Sequence, residues 1–188
     1  LDLSSFYFDI RKDVLYCDSI NSKKRKNCVV VLNIILESLL KWFAPILVFT
    51  TEEIYDLIVE KEESIHEHSF VEVPNNWQNT QLNEKWKKLF KIKQEANIAI
   101  EEKRSNKEIG SSLEAELKIT ADINKFNLLE GLDLDEYFIT SKATKIKSKK
   151  NEELKIEVNK SKGTKCDRCW KILDKKCTRC EKAVKEIC

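Results

Sequence analysis

The stretch that most restricts how this chain can fold is "KCDRCWKILDKKCTRC", residues 165–180. It holds two C-x-x-C pairs, Cys166 with Cys169 and Cys177 with Cys180, separated by residues 170–176. A C-x-x-C turn sets two thiolates on one metal ion, and two such turns close a four-sulfur site with no vacant position. Zinc favours that tetrahedral sulfur set, and a closed site is structural, because catalysis needs an open place for water. Three other uses of paired cysteines stand beside this one: a disulfide staple, a redox pair and an iron–sulfur cluster. A staple suits an oxidising compartment, and no charged-then-apolar leader opens the chain. A redox pair normally stands singly beside a βαβ pattern, and so short a loop favours zinc over an iron–sulfur cluster. Of the seven cysteines, Cys188 reads as a spare thiol or a substitute ligand.

Around these cysteines the apolar residues are few: Trp170, Ile172, Leu173, Val184 and Ile187. So small a core is expected to need the metal, whose binding then supplies folding free energy. Charge sets the tail apart as well. Residues 1–141 carry 18 Lys and Arg against 25 Asp and Glu, a net of −7, whereas residues 142–188 carry 16 against 7, a net of +9. A basic module on an acidic body points to a polyanionic partner, nucleic acid above all, with a solvated surface as the plainer alternative. Trp170 either covers the metal or offers a face on which an unpaired base stacks. Arg168 is either a solvated charge or a contact to phosphate or base.

The rest of the chain reads as mainly helical. Phe6, Ile10 and Val14 recur at four-residue steps and predict a helix over 5–18. "SINSKKRKN" reads as a polar break that passes into the next helix. From Cys28 to Phe43 the wide apolar stripe of Leu32, Leu36, Leu39, Leu40 and their neighbours predicts a central bundle helix. Pro45 ends it and a third helix follows over about 46–60. Residues 61–81 are irregular, and a fourth helix is expected over 82–105, with Leu82, Trp86, Leu89, Phe90, Ala96 and Ile100 on one side. Beyond "IGSS" the period changes. "LEAELKIT", "YFITSKATKIK" and "ELKIEVNK" alternate as strands, and "DINKFNLLEGL" reads as a short helix. The expected division is a helical bundle over 1–108, a small α+β junction domain over 109–160 and a zinc module over 161–188.

Several of these stretches are similar to one family in the same order. "KCDRCW" followed by "CTRC" resembles the C-terminal zinc module of bacterial-type isoleucyl-tRNA synthetases, which are class I aminoacyl-tRNA synthetases. "VLNIILESLLKWFAPILVFTTEEIYDLI" resembles that family's anticodon-binding helices. "LYCDSINSKKRK", "SIHEHSF" and "NKEIGSSLEAELKI" resemble further family segments, so the match covers nearly the whole chain. The resemblance implies a bundle, a junction domain and a four-cysteine zinc module that together grip the anticodon stem-loop of tRNA(Ile). It implies anticodon contacts from Arg168 and Trp170, and it finds the family's paired basic residues at Arg25 and Lys26. It also implies a cytoplasmic, monomeric enzyme whose ATP and Mg²⁺ are held by a separate catalytic domain. Two features depart from the family pattern: the loop between the cysteine pairs is short, and Val29 stands where a glutamine is expected.

Catalytic signatures are missing from the sequence itself. It contains no G-x-x-x-x-G-K-[ST] loop and no G-x-G-x-x-G, and its three glycines cannot make a phosphate cradle. His66 and His68 sit in a polar loop without a nucleophile, and Glu52-Glu53 and Glu101-Glu102 are neighbours that point apart on a helix. No run of apolar residues is long enough for a membrane span. With no Met at position 1, the chain is expected to be a piece of a longer one, non-catalytic alone. The alternative expectation is an independent zinc-ribbon module that binds protein or RNA, with the 28–43 stripe partly exposed.

Overall fold

In the computed structural model, which describes residues 2–59, 63–148 and 154–186, the chain forms seven α-helices and five short strands. The described residues divide into two compact units, Asn21–Gln78 and a second made of Leu1–Ile20 with Asn79–Cys188. These units are cut at different places from the division expected from the sequence pattern. The α+β part shares a core with helices from both ends of the expected bundle.

In the larger unit a π-helical segment, Asp2–Phe8, leads into α1, Asp9–Cys17. Helix α4 spans Thr80–Ser105, where Asn79 caps it by accepting the Leu82 N–H at 2.9 Å. Strand β1, Ala115–Ala121, is central in a three-stranded sheet. It pairs in parallel with β2, Lys142–Lys147, and antiparallel with β3, Lys155–Lys160. The β1–β2 crossover carries α5, Ile123–Leu128, and α6, Leu134–Tyr137. Leu89, Ile92, Ala96 and Ile100 of α4 bury themselves with Leu117, Ile119, Leu129, Phe138 and Val158. The apolar side read as a bundle seam thus faces a sheet.

Residues Tyr137–Ile139, which alternate like a strand, lie instead at the end of α6 and just beyond it. Asp133 caps that helix, accepting the Glu136 N–H at 3.3 Å, and Ile139 turns left-handed at φ 57°, so the strand starts only at Lys142.

The smaller unit holds α2, Lys23–Phe43, and α3, Val48–Asp56, with Leu40, Ala44 and Ile65 at its core. Helix α2 starts five residues before the expected Cys28, because Ser22 caps it through the Arg25 N–H at 3.4 Å. Val30, Val31, Trp42 and Phe43 remain exposed, as do Phe49 at 88% and Leu57 at 83%. Among the described residues no helix is long and apolar enough to cross a membrane.

Candidate metal centre and nucleic-acid interface

The C-terminal module is built on a two-stranded ladder of β4, Thr164–Lys165, and β5, Ile172–Leu173, followed by α7, Thr178–Lys185. Between the strands the chain turns tightly. The Trp170 N–H donates to the Cys166 carbonyl and the Cys166 N–H to the Lys171 carbonyl, each at 2.9 Å. This turn brings Cys166 and Cys169 together. Cys177 stands at the N-cap of α7 and Cys180 one turn later, so three-residue spacing puts both on one side.

All four sulfurs lie within 4.8 Å of one another, and Cys169 Sγ and Cys177 Sγ are 3.9 Å apart. A tetrahedral ion with ~2.3 Å bonds to sulfur separates its ligands by ~3.8 Å. The four cysteines therefore can hold one metal ion in a four-sulfur set. Burial opposes ionising Cys166. The backbone N–H groups of Cys169 and Arg168, with the thiols of Cys169 and Cys180, outweigh it and bring this thiol down to about 7. Burial pushes the Cys169 and Cys180 thiols up. Cys188 lies outside the described residues, as does Ile187.

This module is fastened to α1. The Arg168 guanidinium donates to the Tyr16 carbonyl at 2.9 and 3.3 Å, and the Cys17 thiol donates back to the Arg168 carbonyl at 3.7 Å. Cys17 is buried against the cysteine cluster, and burial raises its pKa to about 11. Arg179 binds both oxygens of Asp13, at 2.5 and 2.7 Å, and reaches Asp18 at 3.4 Å. Burial pushes the Asp13 carboxyl up, but Arg179 outweighs it and holds the group below its ordinary value. Ser19 donates to Glu186. On the sheet side, the Ile172 N–H donates to Ser141 Oγ at 2.6 Å, and that hydroxyl donates to the Leu113 carbonyl.

Trp170 is largely exposed and does not belong to the buried cysteine cluster. It sits in the left-handed region at φ 62° with 59% of its surface exposed, and Lys165 Nζ lies 6.0 Å from its ring centre. A left-handed conformation is costly for a bulky residue and here holds an aromatic face outward. Beside it, a cavity of about 430 Å³ opens between α1 and the cysteine turn, lined by Tyr16, Trp170, Ile10, Leu113 and Ile139 among others. A broader concavity carries Lys165, Lys175, Lys176 and Lys185. Arg25 and Lys26 belong to the smaller unit. They follow Lys23 and Lys24 in the opening turns of α2, which has no acidic residue in its first turn. Lys26 Nζ also donates to Asn21 Oδ1 at 3.4 Å.

The two histidines are bonded locally. Tyr55 Oη and His68 Nε2 are 2.8 Å apart, and His66 Nε2 is 3.2 Å from the Val48 carbonyl. Glu52 accepts from Ser64 Oγ at 2.8 Å and from the Ile65 N–H at 3.1 Å. Sequence reasoning singled out the four cysteines that the structure gathers, but it missed Arg179, Asp13, Asp18, Cys17 and Ser141. The two arginines did carry a signal, since each is the third residue of its C-x-x-C, giving C-x-R-C twice.

Residues 1–119 match the family model described as the anticodon-binding domain of tRNA ligase. The chain is 53% identical over 179 residues to the isoleucine–tRNA ligase of Pelagibacter ubique, covering 95% of this chain and 20% of that protein. It is 38% identical over 182 residues to the isoleucine–tRNA ligase of Agrobacterium fabrum, covering 92% and 19%. It is 36% identical over 185 residues to that of Caldanaerobacter subterraneus, covering 90% and 20%. The chain spans about a fifth of the length of the curated relatives it matches. With the helices, the basic surface and the four-cysteine centre in place, the match assigns this chain to the family of anticodon-binding domains of tRNA ligases.

Proposed function

We propose that this chain is the tRNA-binding part of an isoleucine–tRNA ligase, an ATP-dependent cytoplasmic enzyme that joins isoleucine to tRNA(Ile). The chain binds and positions the tRNA and does not itself perform chemistry. Activation of the amino acid with ATP and Mg²⁺ belongs to the remaining four fifths of a protein of the relatives' length. The observation that carries the reading is the joint presence of the four-cysteine centre and the outward face of Trp170 in a chain of this family.

The metal assigned to Cys166, Cys169, Cys177 and Cys180 is one structural Zn²⁺, which ties the turn at Trp170 to α7. The charge of such a site, −2, still leaves the segment 159–188 basic, with ten Lys and Arg against four Asp and Glu. Lysines of this segment and the Arg25–Lys26 cluster would hold phosphates of the anticodon stem-loop. Trp170 would stack on an unpaired base, with Arg168 beside it. Arg168 now spends its guanidinium on the Tyr16 carbonyl, so contact with RNA requires it to share or exchange that partner.

The partly exposed apolar residues of α2 and α3 are what a protein-interaction module would also show. Binding separates the two readings. Equilibrium titration with tRNA(Ile) and with the same tRNA carrying another anticodon should give tighter binding to the first and a steep loss with salt, as counterions are released. Equal affinity for both tRNAs would remove anticodon reading. No binding in dilute buffer would leave the protein-interaction reading.

A further inference from the structure

We propose that Arg179 is a positioning residue for RNA recognition: it clasps the ligand-bearing helix α7 to α1, and thereby holds Trp170 at the rim it shares with Tyr16. The proposal rests on the RNA-binding reading above and adds the residue that makes the binding surface one piece. The doubled C-x-R-C motif puts an arginine between the cysteines of each pair, and both arginines turn to the same helix. Their partners differ in kind. Arg168 bonds a backbone carbonyl, Tyr16, a partner that an RNA phosphate can replace. Arg179 is enclosed by carboxylates: Asp13 grips it through both oxygens and Asp18 adds a third. Two carboxylates around one guanidinium repel phosphate, so Arg179 is not itself an RNA contact. Both carboxylates are mostly shielded from water, which leaves the pair less salt-screened than a surface bridge and costly to break from one side.

Geometry shows what the clasp controls. Arg179 directly precedes Cys180, so fixing its side chain on α1 fixes the helix that supplies two of the four sulfurs. The other two sulfurs flank Arg168, whose carbonyl receives the Cys17 thiol from the same helix. Tyr16 and Trp170 line one cavity from opposite elements, α1 and the cysteine turn, so that cavity keeps its width only while the two stay docked.

The test uses the metal-loaded chain with Arg179→Gln and Arg179→Lys, and Asp13→Asn as an approach from the other partner. Each variant is read three ways: metal per chain, backbone hydrogen exchange over residues 13–18 and 165–170, and affinity for tRNA(Ile). Arg179→Gln should keep its metal, exchange faster in both segments, and bind tRNA about tenfold more weakly. Arg179→Lys should fall between, because it keeps the charge and loses the fork. Asp13→Asn should reproduce the loss, and the Gln–Asn double variant should be no worse than either single. In a Trp170→Ala background, Arg179→Gln should cost nothing further, an outcome that general loosening of the fold would not give. Unchanged exchange and affinity, a loss that adds in full to that of Trp170→Ala, or loss of the metal would each overturn the proposal. A wild-type chain that ignores RNA would sink the functional reading instead, and exchange in the variants would still decide whether the clasp exists.

Discussion

Replacing Gly163 with alanine tests how the metal module is held together. Gly163 has φ +127°, a region that side chains rarely enter, and it sits directly before β4. A Cβ there would lie 2.2 Å from the Leu173 carbonyl oxygen, 2.5 Å from its carbon and 3.0 Å from the Asp174 nitrogen. All three are backbone atoms, so no side chain can swing away. The ladder must open instead, and it has only two residue pairs, Thr164 with Leu173 and Lys165 with Ile172. Backbone strain of this kind costs about 1–3 kcal/mol. Adding the displaced ladder, we take ~3 kcal/mol in all, within the range of severe single substitutions. Folding of the module is coupled to metal binding, so the cost appears as about 100-fold weaker metal affinity. Competition against a chromophoric chelator at fixed pH measures it. Gly131→Ala is the matched control. Gly131 also has a left-handed φ, +75°, but nothing lies within 4 Å of its added Cβ. That variant should lose about 1 kcal/mol of overall stability and no metal affinity. If Gly163→Ala keeps the metal as tightly as Gly131→Ala does, the ladder does not support the metal centre.

Two further outcomes concern the core of the larger unit. Lys93 Nζ donates to the Tyr137 carbonyl at 2.5 Å and lies near the rings of Phe6 and Tyr137, and burial brings its pKa down to about 8. Unfolded, the group titrates near 10.4, so the unfolded chain binds more protons between pH 8 and 10 and folding stability rises over that window. Relative to Lys93→Met, the wild type should gain about 2 kcal/mol in denaturant titrations from pH 8 to 10; a difference that stays flat would refute the burial argument. Ile119→Ala, at a fully buried position of β1, should cost about 3–4 kcal/mol and lower the melting temperature sharply, whereas a loss under 1 kcal/mol would mean that the sheet and α4 do not share a core.

What could be seen in the sequence followed from range. The candidate metal site was legible because each C-x-x-C pair is local and the chemistry of sulfur leaves few choices. Capping overrode pattern in two places. The basic string at 23–26 reads as a polar break passing into a helix, and only Ser22 as the cap of α2 fixes where that helix starts. Tyr137–Ile139 reads as a strand until Asp133 and the left-handed Ile139 are seen to enclose a helical turn. The apolar stripe of α4 was visible, but a stripe does not say whether a helix or a sheet will cover it. Docking of the metal module was invisible, because Arg179 and Asp13 are 166 residues apart and surface charge alternates throughout the chain. The outward pose of Trp170 was also hidden, since its left-handed backbone is imposed by the turn that gathers Cys166 and Cys169.

The most direct measurement is metal content and tRNA(Ile) binding on a single purified sample, taken before chelation, after it, and after zinc is restored. One zinc per chain is expected, with binding lost on chelation and recovered on return of the ion. A chain that carries no metal, or that binds the tRNA equally well after its metal is stripped, would contradict the view that a sulfur-held ion builds the RNA-facing surface.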